Sequence, residues 1–185
     1  MNEKFLIVNG VIAAQTPLVV VPFKKILPMF DVIIEIGYNR GAFSQWIFDN
    51  KKEAAQLYCY DISDQFREIK NSNINFIVGD CFSPTILTNI SNQIKRGRCL
   101  ILCDGGNKEK EFEIYSNMMK VNDVIMCHDY SHSPEIYNST KYKSNWPSAS
   151  ESHRHNIQSS IINNNLQEFG YEEFYNVFWG SFIKI

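Results

Sequence analysis

Short apolar runs alternate along this chain with stretches whose apolar residues recur at helical spacing. The runs are Val32–Glu35, Gln56–Tyr60, Ile74–Val78, Cys99–Cys103 and Val124–Cys127. They are too short for helices and rich in branched and aromatic residues, as expected of strands buried on both faces. Between them the spacing predicts helices over Ala42–Asn50 (Phe43, Trp46, Ile47), Asp64–Lys70, Pro84–Lys95 (Ile86, Leu87, Ile90, Ile94) and Lys108–Met119 (Phe112, Tyr115, Met119). A short helix, Phe23–Leu27, is bracketed by Pro22 and Pro28, the second proline setting its end. After the fifth strand the rhythm stops. Residues 131–152 form a long polar connection containing Tyr137, Tyr142 and Trp146; His153–Leu166 reads as a helix, and Tyr171–Ile185 as two strands turning near Gly180. Strand–helix alternation predicts an α/β fold: a doubly wound sheet, mostly parallel, with helices on both faces and an antiparallel C-terminal hairpin.

Each predicted strand ends in an acid: Glu35, Asp61, Asp80, Asp104 and Asp129, spaced 19 to 26 residues apart. Parallel sheets bind ligands outside the carboxyl ends of their strands. One acid at such a place is an ordinary helix N-cap, but five along one edge point to a shared ligand site.

The first strand feeds Glu35-Ile36-Gly37-Tyr38-Asn39-Arg40-Gly41 and then a helix. Glycine lets backbone approach a ligand, and a helix start offers N–H groups. A dinucleotide fingerprint needs three glycines at G-x-G-x-x-G, whereas this turn has two, preceded by a carboxylate, Glu35, that is expected to aim into the turn and would repel a pyrophosphate. A ligand with an ammonium end and a ribose, such as S-adenosylmethionine, suits it better. Asp61 is placed to accept the ribose hydroxyls, and Asp80 with Cys81 to meet the adenine edge.

Asp104 and Asp129 follow neighbouring strands. Two convergent carboxylates can hold a divalent cation that acidifies a substrate hydroxyl, or one can act as a general base. Magnesium prefers an all-oxygen shell, while adding His128 favours manganese, iron or zinc; His128 can equally pack without ligating. Lys108 is a second candidate base if burial or a neighbouring cation lowers its pKa. His132, His153 and His155 could line a substrate entrance. No G-x-S-x-G elbow follows any strand, so a Ser-His-Asp hydrolase fits poorly.

The 185 residues suit one domain (1–185), with a lead-in over 1–30 and a substrate-side insertion over 131–156. A hydrophobic share of 44% and a net charge of −2 argue against nucleic acid as a partner. No apolar run is long enough to span a membrane. Asn9, Gly10, Gln15 and the prolines interrupt the N-terminal apolar stretches, which speaks against a signal peptide. Cys59, Cys81, Cys99, Cys103 and Cys127 lie in or beside apolar runs without metal-type pairing, as reduced, mostly buried thiols of a cytoplasmic protein would.

Together these residues resemble the class I S-adenosylmethionine-dependent methyltransferases, and within them the group of cephalosporin hydroxylase-like and macrocin or rhamnosyl O-methyltransferase-like proteins. Gly10-x4-Gln15-x-Pro17 resembles that group's lead-in, Ile33-Ile34-Glu35-Ile36-Gly37 with Gly41 its cofactor turn, and Asp104-Gly105 with His128-Asp129-Tyr130 the D-G…H-D-Y pair of related small-molecule methyltransferases. The resemblance implies a Rossmann-like fold. It implies S-adenosylmethionine bound by Glu35, Gly37, Tyr38, Asn39, Gly41, Asp61, Ile62, Asp80, Cys81 and Asp104. It further implies that Asp104 and Asp129, joined by His128, ligate Mg2+ or another divalent cation or contact substrate. Relatives often carry His or Lys where this chain has Asn107, with Lys108 one place further on, and metal-binding members usually have an acid or amide where it has His128. The expected activity is O-methylation of a small-molecule or sugar substrate, with Asp104, Asp129, Lys108 and His128 as the catalytic set. A catalytically inactive binding or assembly module of the same fold is the alternative, and a homo-oligomer is compatible with either.

Overall fold

The apolar runs become strands because their side chains have nowhere polar to face: every residue of Val32–Ile36, Cys99–Cys103 and Val124–Cys127 is buried. The computed structural model describes residues 4–139 and 152–185. The chain divides into two compact units, Met1–Ile101 and Leu102–Ile185.

The first unit opens with a hairpin of β1 (Ile7–Val8) and β2 (Val11–Ile12), turning through Asn9 and Gly10 at φ 53° and 79°. A 3-10 turn over Pro17–Val19, capped by Thr16, leads into α1 (Val20–Ile26), the helix expected over Phe23–Leu27. Then come β3 (Val32–Ile36), α2 (Ala42–Asn50), β4 (Gln56–Asp61), β5 (Asn75–Val78), α3 (Pro84–Ile94) and β6 (Cys99–Cys103), whose last two residues belong to the second unit. β3 and β4 pair in parallel with Glu35 opposite Cys59, and β4 and β5 with Asp61 opposite Val78. Phe43 and Trp46 of α2 stack at 6.0 Å and meet the edge of Phe23 at 5.3 and 6.5 Å. Burying each such side chain stabilises the unit by about 1.5–3 kcal/mol.

The helix expected over Asp64–Lys70 does not form. Tertiary contacts use its backbone: Glu68 and Ile69 donate their N–H groups to the Arg40 carbonyl at 3.3 and 3.0 Å. Tyr38 Oη donates to the Ile69 carbonyl at 2.8 Å, and the Arg67 guanidinium lies 4.3 Å from the Phe76 ring centre.

The second unit contains α4 (Lys108–Ser116), β7 (Val124–Cys127), β8 (Tyr130–Ser131), α5 (Pro134–Ser139), β9 (Ser152–His153), α6 (Arg154–Asn163), β10 (Leu166–Glu168), α7 (Tyr171–Tyr175) and β11 (Gly180–Lys184). β11 is antiparallel to β7 and to β10, and β8 pairs in parallel with β9. Tyr142 and Trp146, assigned to the polar connection, lie outside the described residues. The seven strands of the main sheet run in the order β10-β11-β7-β6-β3-β4-β5. This is the mostly parallel, doubly wound arrangement expected, with an antiparallel C-terminal end. Among the described residues, no helix is long and apolar enough to cross a membrane.

The C-terminal hairpin is built differently from the expectation. Its strands are β10 and β11, with α7 between them, and Tyr171 and Tyr175 stack at 5.3 Å on that helix. The preceding helix accordingly stops at Asn163, before a left-handed turn at Asn165 (φ 50°) that frees Leu166 to start β10. Gly180 is the first residue of β11, not a turn. It is glycine because the Tyr130 ring covers its Cα: a Cβ there would lie 2.7 Å from Tyr130 Cγ. Gly180→Ala should therefore cost about 1–3 kcal/mol in urea denaturation. In a Tyr130→Ala background the same change should cost measurably less; an undiminished penalty there would show that the ring is not the obstacle.

Candidate functional site

In the first unit the chain leaves β3 through three left-handed residues, Gly37 (φ 94°), Asn39 (φ 50°) and Gly41 (φ 83°). Gly37 donates its N–H to the Tyr60 carbonyl at 2.8 Å, which holds the turn against the end of β4. Gly41 begins α2, and a Cβ there would lie 2.3 Å from the ring of Tyr38, so both space and backbone conformation require glycine. Tyr38 itself is buried, its ring tilted against Phe76 at 4.7 Å.

Asp61 ends β4 beside this turn. Its Oδ2 accepts the Asn39 N–H at 2.9 Å and its Oδ1 the Ser63 N–H at 3.3 Å. A carboxylate offers about four acceptor positions, so the half-buried Asp61 retains capacity for a vicinal diol while fixing the turn that would receive it. Ile62 beside it is 71% exposed, an apolar surface next to an acceptor. Asp80 is exposed, accepts the Phe82 N–H at 2.9 Å ahead of α3, and is followed by half-buried Cys81. Glu35 is placed differently from the expectation that it points into the turn. It is 2% exposed, and its Oε2 accepts from Ser44 Oγ of α2 and, at 3.2 Å, from Cys59 Sγ of β4.

In the second unit, His128 donates its backbone N–H to the Cys103 carbonyl at 3.0 Å, aligning the ends of β6 and β7. Asp104 and His128 thereby meet, with Asp104 Oδ1 2.7 Å from His128 Nδ1. Asp129 Oδ1 lies 3.7 Å from the same nitrogen. Lys108 Nζ stands 3.3 Å from Asp129 Oδ2 and donates to the Gly105 carbonyl at 3.1 Å. The imidazole is 3% exposed and lies 4.7 Å from the Trp179 ring. Burial alone would lower the His128 pKa; the Asp104 and Asp129 charges and the Asp104 hydrogen bond outweigh it and raise the pKa. Asp129 has φ 52°, a conformation that costs a non-glycine residue about 1–3 kcal/mol and concentrates at functional sites. One ligand atom from each of Asp104, His128 and Asp129 lies within 4.8 Å of the others, among the described residues the one such group of three. Two carboxylate oxygens and an imidazole nitrogen converging in this way fit a divalent cation.

A third acid belongs here that sequence reasoning missed. Glu111 of α4 is fully buried; its Oε2 accepts the Gly105 N–H and its Oε1 the Asn107 N–H, each at 3.2 Å. Burial pushes its pKa up to about 7, opposed by those two amides and by Lys108. The available signal was its place beside buried Phe112, four residues after the helix-capping Asn107. His153 contacts Ser131 Oγ through Nδ1 at 2.7 Å and stacks on His155 at 5.6 Å, while His132 sits edge-on to Tyr171 at 5.9 Å. None of these three histidines belongs to the Asp104–His128–Asp129 group. No two of the five cysteines are joined in a disulfide, and all but half-buried Cys81 are buried.

Residues 21–128 match the family model of FtsJ-like methyltransferases. No curated protein matches the chain significantly. Among solved structures, apo CmcI-N160 shares 14% identity at a TM-score of 0.68, over 96% of this chain and 75% of that one. An O-methyltransferase from Bacillus cereus with S-adenosylhomocysteine (SAH) shares 14% at 0.59, over 93% and 84%. MycE, a methyltransferase of mycinamycin biosynthesis solved with Mg and SAH, shares 15% at 0.56, over 91% of this chain and about half (49%) of its own. At these identities the likeness is one of fold. With more than half its length matched by the family model, this chain belongs to the FtsJ-like methyltransferase family and has the class I S-adenosylmethionine-dependent methyltransferase fold.

Proposed function

We propose that the chain methylates an oxygen of a small molecule or sugar, using S-adenosylmethionine and a divalent cation. The observation that carries this reading is the convergence of Asp104, His128, Asp129 and Lys108 just beyond two buried strands. Two fold relatives favour it: one CmcI structure contains Mg and S-adenosylmethionine, and MycE contains Mg and SAH.

S-adenosylmethionine, when bound, supplies an electrophilic methyl group. Gly37, Tyr38, Asn39 and Gly41 would shape its cradle, with Glu35 bracing the cradle from below and Asp61 accepting ribose hydroxyls. Ile62, Asp80 and Cys81 would flank the adenine. A cation held by Asp104, His128 and Asp129 would lower the pKa of an acceptor hydroxyl. Asp129 would be the proton acceptor, with Lys108 Nζ, 3.3 Å from its Oδ2, orienting the carboxylate. His128, fixed by Asp104 at Nδ1 and by the Trp179 face, cannot swing away.

Calorimetric titration with SAH should show binding, and Asp61→Ala should weaken it at least about tenfold. Silence at millimolar SAH would remove the cofactor assignment. Electron paramagnetic resonance with Mn2+ should likewise report a bound ion that Asp104→Ala and Asp129→Ala release, each weakening binding by about 10–100-fold. Unchanged Mn2+ affinity in both variants would place the cation elsewhere.

A further inference from the structure

The loop that presents Asp104 passes through two consecutive glycines. Gly105 and Gly106 contribute no side chains, and a Cβ built on Gly106 would meet nothing within 4 Å. Yet both ends of this loop carry chemistry: Asp104 on His128 at one end, and Lys108 on Asp129 at the other. Glu111 restrains its middle. It grips the loop on either side of Gly106 through the amides of Gly105 and Asn107, using a different carboxylate oxygen for each. The peptide unit of Gly105 is engaged on both sides, since its carbonyl accepts from Lys108 Nζ.

We propose that Glu111 is a positioning residue of this site, a buried carboxylate clamp that fixes the Asp104–Asn107 loop and so sets Asp104 against His128 and Lys108 against Asp129. The clamp requires two acceptors. A glutamine offers one acceptor and one donor, so it can satisfy one amide and must repel the other. An aspartate is one methylene too short to reach both. Placing the clamp in the catalytic site rests on the reading given under Proposed function; the clamp itself rests on the two amide contacts.

In the unaltered full chain, amide hydrogen exchange should show Gly105 and Asn107 protected and Gly106 exchanging fast. In Glu111→Gln at least one of the two protected amides should exchange about tenfold faster or more, and the His128 Nδ1 resonance in a 15N spectrum should shift. Mn2+ affinity should fall about 10–100-fold, with SAH affinity changing less than about twofold. Glu113→Gln, which removes the same charge from an exposed position of α4, should leave all four readouts unchanged. Gly105 and Asn107 exchanging as fast as Gly106 in the wild type would overturn the clamp without any variant. So would an unmoved His128 resonance in a folded Glu111→Gln, or the same response in Glu113→Gln. If the unaltered chain binds no Mn2+ while Glu111→Gln still opens the amides and shifts His128, the cation reading fails and the clamp stands.

Discussion

The polar chemistry of the second unit is fixed by what β6 and β7 cannot contain. Every residue of Cys99–Cys103 and Val124–Cys127 is buried, and an unpaired charge inside either run would lose far more solvation than a strand could recover. The first positions able to carry charge are therefore those just past the strands. The backbone hydrogen bond from His128 to Cys103 then brings the two strand ends level. Asp104 and His128 become partners as a result of that register, and the left-handed turn at Asp129 folds a second carboxylate back toward the same imidazole.

The first unit solves a related problem with backbone conformation. Its turn after β3 needs left-handed residues to fold back to β4, and Asp61 secures the result by accepting the Asn39 amide. Glu35 is the exception to the rule that charge waits for the strand end, since it lies within β3. It is tolerated because Ser44 and Cys59 both donate to it, so the desolvated carboxylate is compensated from the helix and strand that flank it.

How far the sequence could be read follows from the same physics. Buried parallel strands are near-continuous apolar runs, which made β3, β4, β6 and β7 legible; β5 was legible from its apolar composition although, as an edge strand, it has no buried residue. The strand-end placement of Asp61, Asp104, His128 and Asp129 followed from these runs. Asp64–Lys70 was misread because its helical spacing competes with backbone contacts to Tyr38 and Arg40, which no local pattern encodes. Gly180 was misread because a glycine that makes room for a distant ring looks like a glycine that makes a turn. Glu111 was passed over because acids in a first helical turn are ordinary; only burial distinguishes it, and burial of a charge is a tertiary fact. Glu35 was assigned a direction that its register opposite Cys59 contradicts.

Charge balance constrains what the second unit can hold. The carboxylates of Asp104 and Asp129 are faced by Lys108 and by an imidazole whose proton affinity they raise, so the cluster can approach neutrality with its own side chains. A cation entering there must displace a proton from His128 and share Asp129 with an ammonium group. An all-carboxylate site would impose neither cost, and would hold a hard cation such as magnesium more tightly than this one. Were a cation held here, His128 in place of an acid would lower the affinity for a hard ion and favour metals that accept nitrogen, while its contact with Asp104 ties the two strand ends together in any case. The Trp179 face and the Asp104 hydrogen bond hold the imidazole in one orientation, so it would lose little further freedom on ligating an ion.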